Sequence, residues 1–182
     1  MCWNWEIVKD WNDRIKDYSE EQKKFYAQMI PLFADVDQIE DDKGDDWSSE
    51  NSKDVRIEIK KSQRGMMMYR AWGTINWPVL DVYRCMSYFP LRSEWDTNTD
   101  YAEHLKKVGV NAFISYSKSK KQYVVSSRDF VVNYLCNREE DGTIRDVVTS
   151  ENVQMNVPEK PSTVRAFSKI VGVTLRPDPV NA

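Results

Sequence analysis

One histidine and three cysteines leave this chain little with which to hold a transition metal or to pair a thiol with an imidazole. Cys2, Cys85 and Cys136 make no CxxC and no short ligand spacing, so the reading is reduced thiols in a cytosolic compartment. His104 lies in Glu103-His104-Leu105-Lys106-Lys107, a charged stretch, and is expected to be solvated. Six glycines and seven prolines among 182 residues exclude collagen-like and low-complexity classes. No run approaches the ~18–20 apolar residues that span a bilayer, and no apolar leader core follows Met1, so a soluble, unprocessed chain is expected. Neither sign of charge dominates. The 26 basic and 29 acidic residues leave a net charge of -3, which speaks against a broad nucleic-acid-binding surface. A glycine-rich phosphate loop, G-x-S-x-G, HExxH and a P-loop lysine are also missing, so no motif points to an enzyme, a cofactor or a metal.

What the chain has is apolar bulk: 41% hydrophobic and 12% aromatic residues, enough for a single domain over 1–182 with a sizeable core. That aromatic load fills a core or walls an interior partly open to a ligand. Trp3, Ile7, Trp11, Ile15 and Tyr18 form the stripe of an amphipathic helix. Ser19-Glu20-Glu21-Gln22 has the form of a capping box opening a second helix, with Phe25, Met29 and Leu32 on its apolar face and a disturbance at Pro31. Residues 40–54 read as an acidic loop anchored by Trp47. Val55, Ile57 and Ile59 alternate with Arg56, Glu58 and Lys60 as in a half-buried strand, which Arg64-Gly65 turns into a hairpin with 66–76.

Pro78 opens a helix with Val79, Val82, Tyr83 and Met86 on one side, and Pro90 ends it. Residues 104–118 read as a strand. Another covers 127–138, ending at the Asp141-Gly142 hairpin turn, with 143–152 returning and 163–176 adding a further β segment. This order predicts an α+β protein with a mostly antiparallel sheet.

Few side chains stand out for chemistry. Asp129 beside Arg128 is held ionised, the wrong state for a general acid, and reads as a structural ion pair. Lys118, Lys120 and Lys121 are either a solvated loop or a contact for an anionic membrane, at roughly 1 kcal/mol per lysine. Met66-Met67-Met68 suits an irregular apolar cavity or ordinary core filling. Arg92, in Arg92-Ser93-Glu94-Trp95-Asp96, is either the partner of Asp96 or Glu94 or a bidentate phosphate ligand.

Ser127-Arg128-Asp129-Phe130-Val131, followed by Pro158-Glu159 and Thr163-Val164-Arg165-Ala166, resembles the START (steroidogenic acute regulatory protein-related lipid transfer) family. Arg92-x-x-Trp95-Asp96 and Trp72-Gly73 fall in the matching order, and the likeness runs from the N-terminal helices to about Arg176. The resemblance implies a helix-grip fold: N-terminal helices, a curved antiparallel sheet, and a tunnel for one lipid closed by a long C-terminal helix. It also implies no catalysis and no cofactor, a lipid ligand, no nucleic-acid partner, and a transient membrane surface. The location it implies is cytoplasmic and peripheral to membranes; no feature sets an oligomeric state.

Within the family the sequence looks most like the phosphatidylcholine transfer branch. There an arginine at the Arg92 position contacts the lipid phosphate, and an amide about where Asn156 falls helps hold the headgroup. Where many members carry an arginine–carboxylate pair across the tunnel, this chain has Tyr134 and Ser117, a neutral pair able to bond a headgroup or a water. Trp72, Met86, Phe113, Ser115, Phe130 and Val132 are the expected tunnel lining. The family's last strand and closing helix have no counterpart here, so the expectation is a domain truncated at its C-terminus. Three alternatives stay open: a START-like regulatory or protein-interaction module with a filled cavity, a binder of a sterol or other apolar ligand, and an enzyme of the wider helix-grip group depending on His104 or Tyr134.

Overall fold

The computed structural model describes residues 6–61 and 66–178; Cys2, Trp3 and the expected Arg64-Gly65 turn lie outside them. Three helices come first: α1 (Trp11–Ile15), α2 (Glu20–Met29) and α3 (Leu32–Asp41). The helix expected from Trp3 is shorter, because Ile7 pairs in a parallel bridge with Arg138 and α1 begins behind Asp10, whose carboxylate accepts from the Asn12 N–H. α2 opens with its capping box: Ser19 Oγ accepts from the Gln22 N–H while Gln22 Oε1 accepts from the Ser19 N–H. Pro31 does not end the helical region. It sits ahead of α3, where its missing N–H costs nothing, and α3 runs into the stretch expected to be a loop.

A small antiparallel sheet follows, in the order β1 (Ser48–Asn51), β2 (Val55–Lys61), β3 (Met67–Gly73). β1 also replaces expected loop, since its polar residues gain strand form only by pairing with β2. Trp47 does anchor this region: its Nε1 donates to Asp42 Oδ2 at 3.0 Å, and the Arg70 guanidinium lies 4.0 Å from its ring centre. The alternation in β2 is as expected, but the buried side chain is Glu58, and Val55 is exposed while Ile57 and Ile59 are half-buried. The reason is tertiary. Glu58 is gripped by Arg56 and Arg70, and Arg70 Nη1 also donates to the carbonyls of Ile39 and Glu40 at the end of α3. The charged face of the small sheet therefore docks on α3, and the opposite face carries Ile57, Ile59, Tyr69 and Ala71.

Next come α4 (Val79–Ser87), a 3-10 turn over Phe89–Leu91, and α5 (Arg92–Trp95). The large sheet is built from β4 (Thr99–Gly109), β5 (Ala112–Ser119), β6 (Ser127–Arg138), β7 (Ile144–Thr149), β8 (Thr163–Arg165) and β9 (Val171–Leu175). Its order is β4-β5-β6-β7-β9, with β8 running parallel to the start of β6. The strand expected over 104–118 is thus two strands, which turn at Asn111, a residue type that tolerates its φ of 54°. Asp141-Gly142 makes the expected hairpin turn with Gly142 at φ 87°.

The large sheet has a core on each face. On one face Tyr26 and Met29 of α2 pack with Ile114, Tyr116, Val131 and Leu135 of the sheet; on the other Tyr83 of α4 packs with Phe113, Tyr134, Cys136 and Ile144. No helix among the described residues is long and apolar enough to cross a membrane.

Candidate functional site

Strand alternation decides which side chains reach the α4 face. β6 sends Phe130, Val132, Tyr134 and Cys136 there, and Asp129, Val131, Asn133 and Leu135 to the α2 face. From β5 come Phe113, Ser115 and Ser117, opposite Tyr134, Val132 and Phe130. From β7 comes Asp146, opposite Cys136. α4 covers them with Tyr83 and Ser87, its two buried side chains.

Inside this apolar wall sit two polar groups of residues. The Tyr83 and Tyr134 hydroxyls share a hydrogen bond, and Tyr134 Oη also lies 3.2 Å from Asp146 Oδ2. Burial pushes the Asp146 carboxyl up to about 7, against the opposing pull of the Tyr134 hydroxyl, the Arg92 charge and the Val173 N–H. Burial likewise raises the Tyr83 and Tyr134 hydroxyls and the Cys136 thiol. In the second group, His104 Nδ1 lies 2.8 Å from Ser115 Oγ and Nε2 3.2 Å from the Ser87 carbonyl. Burial lowers its pKa, so the ring is neutral; the carbonyl only accepts, so Nε2 carries the proton and Nδ1 accepts from Ser115. The ring lies 4.4 Å from Phe113 and 4.6 Å from Phe89, centre to centre.

These groups hydrogen-bond to one another: the raised Cys136 thiol is protonated, and the neutral His104 imidazole is engaged at both nitrogens, by the Ser115 hydroxyl and the Ser87 carbonyl. Among the described residues no cluster of three His, Cys, Asp or Glu is placed to hold a metal. Hydroxyl and carboxyl groups in apolar surroundings are the kind of arrangement that can satisfy a polar group of an otherwise apolar molecule.

The structure gathers Phe113, Ser115, Ser117, Phe130, Val132 and Tyr134 on one face. It does not pair Ser117 with Tyr134. Ser117 lies opposite Phe130, four strand positions away or roughly 13 Å, and the group beside Tyr134 is the Asp146 carboxyl from β7. The expected neutral pair is therefore replaced by a tyrosine–carboxyl contact. His104 is not solvated, because alternation on β4 turns it inward despite its charged neighbours. Trp72 lies on the charged face of the small sheet, 4.9 Å from the Arg56 guanidinium and 5.2 Å from that of Arg70, away from Ile57 and Ala71. Met86 is half-buried beside the stripe of Val79, Tyr83 and Ser87 that α4 presents to the sheet.

Arg92 stands at the edge of the α4 face, with Nε 3.3 Å from Asp96 Oδ2 and its guanidinium 6.0 Å from the Phe89 ring. Asp96 is independently held by Thr99 Oγ1 at 2.7 Å and the Asn98 N–H at 3.0 Å. Asn156 is not beside it. Asn156 is exposed in the loop after β7, whose Val153 and Val157 pack on the α2-face core. Asp129 does form an ion pair, but with Arg165 Nε at 2.7 Å rather than with the exposed Arg128, so the two motifs of the sequence meet across β6 and β8. Tyr83 and Asp146 are the site residues that sequence reasoning missed, and His104 is one that it placed in solvent. For Asp146 the signal was there: a carboxylate in the apolar strand Ile144–Thr149, on the same face as Ile144 and Val148.

Comparison with known proteins agrees with this architecture. Residues 38–181 match the START domain family. StAR-related lipid transfer protein 5 of Homo sapiens and of Pongo abelii are each 30% identical over 116 residues, covering 62% of this chain and 54% of theirs. The chain thus spans about half the length of the curated relatives it matches. The solved human StAR-related lipid transfer protein 5 superposes with a TM-score of 0.80 at 24% identity, over 88% of this chain and 78% of that one. A STAR-related lipid transfer protein from Xanthomonas axonopodis does so at 0.64 and 20% identity, over 74% and 76%. These likenesses establish the helix-grip fold, and they do not single out the phosphatidylcholine transfer branch.

Proposed function

The chain belongs to the START domain family, and on that premise we propose that it binds one lipid on the α4 face of the large sheet and exchanges it with membranes, without catalysing a reaction. The observation that carries this reading is the polar cluster of Tyr83, Tyr134 and Asp146 set in an apolar wall. An acyl chain of about sixteen carbons gains on the order of 13 kcal/mol on leaving water, so it does not cross the aqueous phase unaided. Moving between bilayer and protein is nearly neutral in that term. Selection therefore falls to the few polar groups that meet the headgroup.

For the headgroup the reading is a glycerophospholipid, such as phosphatidylcholine, with its phosphate on Arg92. Asp96 keeps two other donors if Arg92 turns to a phosphate, which makes the exchange inexpensive. A second reading, a sterol or other lipid with one uncharged polar group, is favoured by the neutral hydroxyls of Tyr83 and Tyr134. The membrane surface would be met through Lys118, Lys120 and Lys121. A cytoplasmic place suits the free thiols of Cys85 and Cys136.

Mass spectrometry of lipid held by the purified protein, together with transfer between vesicles, tests this. One glycerophospholipid per chain is expected, with its retention lowered about tenfold or more by Arg92→Ala, the loss of a charged hydrogen bond. A sterol-like cargo sensitive to Tyr134→Phe and indifferent to Arg92→Ala would install the second reading. Neither lipid nor transfer would leave a protein-interaction module.

A further inference from the structure

At the far end of β5 and β6 a cavity of about 580 Å³ opens, away from the Tyr134 cluster. Lys118, Lys120 and Lys121 line it together with Ser126, Ser127 and Thr163, and Asp100 is the one carboxylate in its wall. Its floor is rigid. Ser127 and Thr163 are register partners where β8 joins β6, and Ser127 Oγ donates to the Ser119 carbonyl. Of the three lysines, only Lys118 has an ion-pair partner among the described residues, Asp100 at 2.7 Å. In a chain of net charge -3, this is a local concentration of positive charge with hydroxyls around it.

Beside the cavity the β5–β6 connection ends in a built tip. Gln122 and Val125 exchange two backbone hydrogen bonds, at 3.1 and 2.7 Å, and the Gln122 side chain is bonded to Asn98. The residues between them, Tyr123 and Val124, are 98% and 96% exposed. Tyr123 has φ 47°, a conformation that favours glycine, so the turn holds an aromatic residue outward against its own backbone preference. An ordered, strained turn that displays a tyrosine and a valine to solvent fits the interfacial layer of a bilayer, where an aromatic ring keeps its hydroxyl wet.

We propose that this cavity is a second lipid site, which takes the phosphomonoester headgroup of an anionic membrane lipid while the Tyr123–Val124 tip enters the bilayer surface. The chemistry is specific in kind. Lysines serve a phosphate as point charges, and hydroxyls donate to its remaining oxygens. A headgroup that projects a phosphate beyond the membrane's own phosphodiester layer can reach such a cavity; a serine headgroup offers only diffuse charge. The site would set which membrane the carrier meets and leave cargo choice to the α4 face. It rests on the reading of the chain as a carrier that works at membranes.

Flotation of the whole protein with phosphatidylcholine vesicles tests the proposal, one set carrying a phosphatidylinositol monophosphate and a second carrying phosphatidylserine at matched total charge. Roughly tenfold stronger binding to the first set is expected. Lys120→Ala with Lys121→Ala should erase that preference and lower binding to the first set by about 25-fold, at about fivefold per lysine. Tyr123→Gly keeps the turn, since its φ suits glycine, and should weaken binding to both sets while leaving their ratio unchanged. Equal binding to the two sets overturns the proposal, as does a preference that survives the double lysine variant. Lipid held by the protein is read separately: cargo lost with the vesicle preference intact overturns the carrier reading alone, and cargo kept with no preference overturns this site alone.

Discussion

Asp146 carries a titration that is legible in the protein's stability. Its carboxyl titrates at about 7 in the folded chain and near 3.9 when unfolded, so between those values the unfolded state releases a proton that the folded state keeps. The contribution is fully present below about pH 4, falls as pH rises, and levels off above about pH 7. Asp146→Asn removes it while leaving an oxygen for Tyr134. Denaturant midpoints measured across this range should show the variant gaining on the parent chain as pH rises; a constant difference would mean that Asp146 is ionised when folded. Asp129, at the other end of β6, behaves oppositely. Arg165 holds Asp129 below the usual range, so that ion pair loses its contribution in acid.

Elements were legible where one strand supplies its own pattern. Residues 127–138 alternate between two cores, and β6 has those bounds; the capping box at Ser19 and the Asp-Gly turn are equally local signals. What the sequence did not disclose was set by partners distant in the chain. Glu58 is buried because Arg70 and the carbonyls ending α3 receive it, and no periodicity in β2 announces that. His104 was misjudged from its charged neighbours; its register partner is Ser115, which turns it to the α4 face. The polar cluster was half visible: alternation placed Tyr134 on the right face, but its partners come from β7 and α4. Packing between elements offers a further test at Gly172 on β9, where an added Cβ would overlap the Val36 side chain on α3. Gly172→Ala should cost about 1–3 kcal/mol, read as a lower unfolding midpoint. Adding Val36→Ala should recover part of that loss, and no recovery would mean that the two elements are not in contact.

At the scale of the molecule, polar work is divided between two ends of one sheet. The α4 face carries neutral hydrogen-bonding groups in an apolar wall, with Arg92 at its edge, while the end of β5 and β6 carries lysines and an exposed aromatic tip. The small sheet adds a face with Ile57, Ile59, Tyr69 and Ala71 that α3 does not cover. On the proposed reading, this layout would let membrane contact and cargo binding proceed without competing for the same side chains. Photo-cross-linking with a lipid bearing a photoactivatable acyl chain, followed by peptide mapping, tests the central claim most directly. Adducts are predicted on α4 and on the β5 and β6 residues of its face, among them Tyr83, Phe113 and Val132; adducts confined to the α2 face, or none at all, would contradict it.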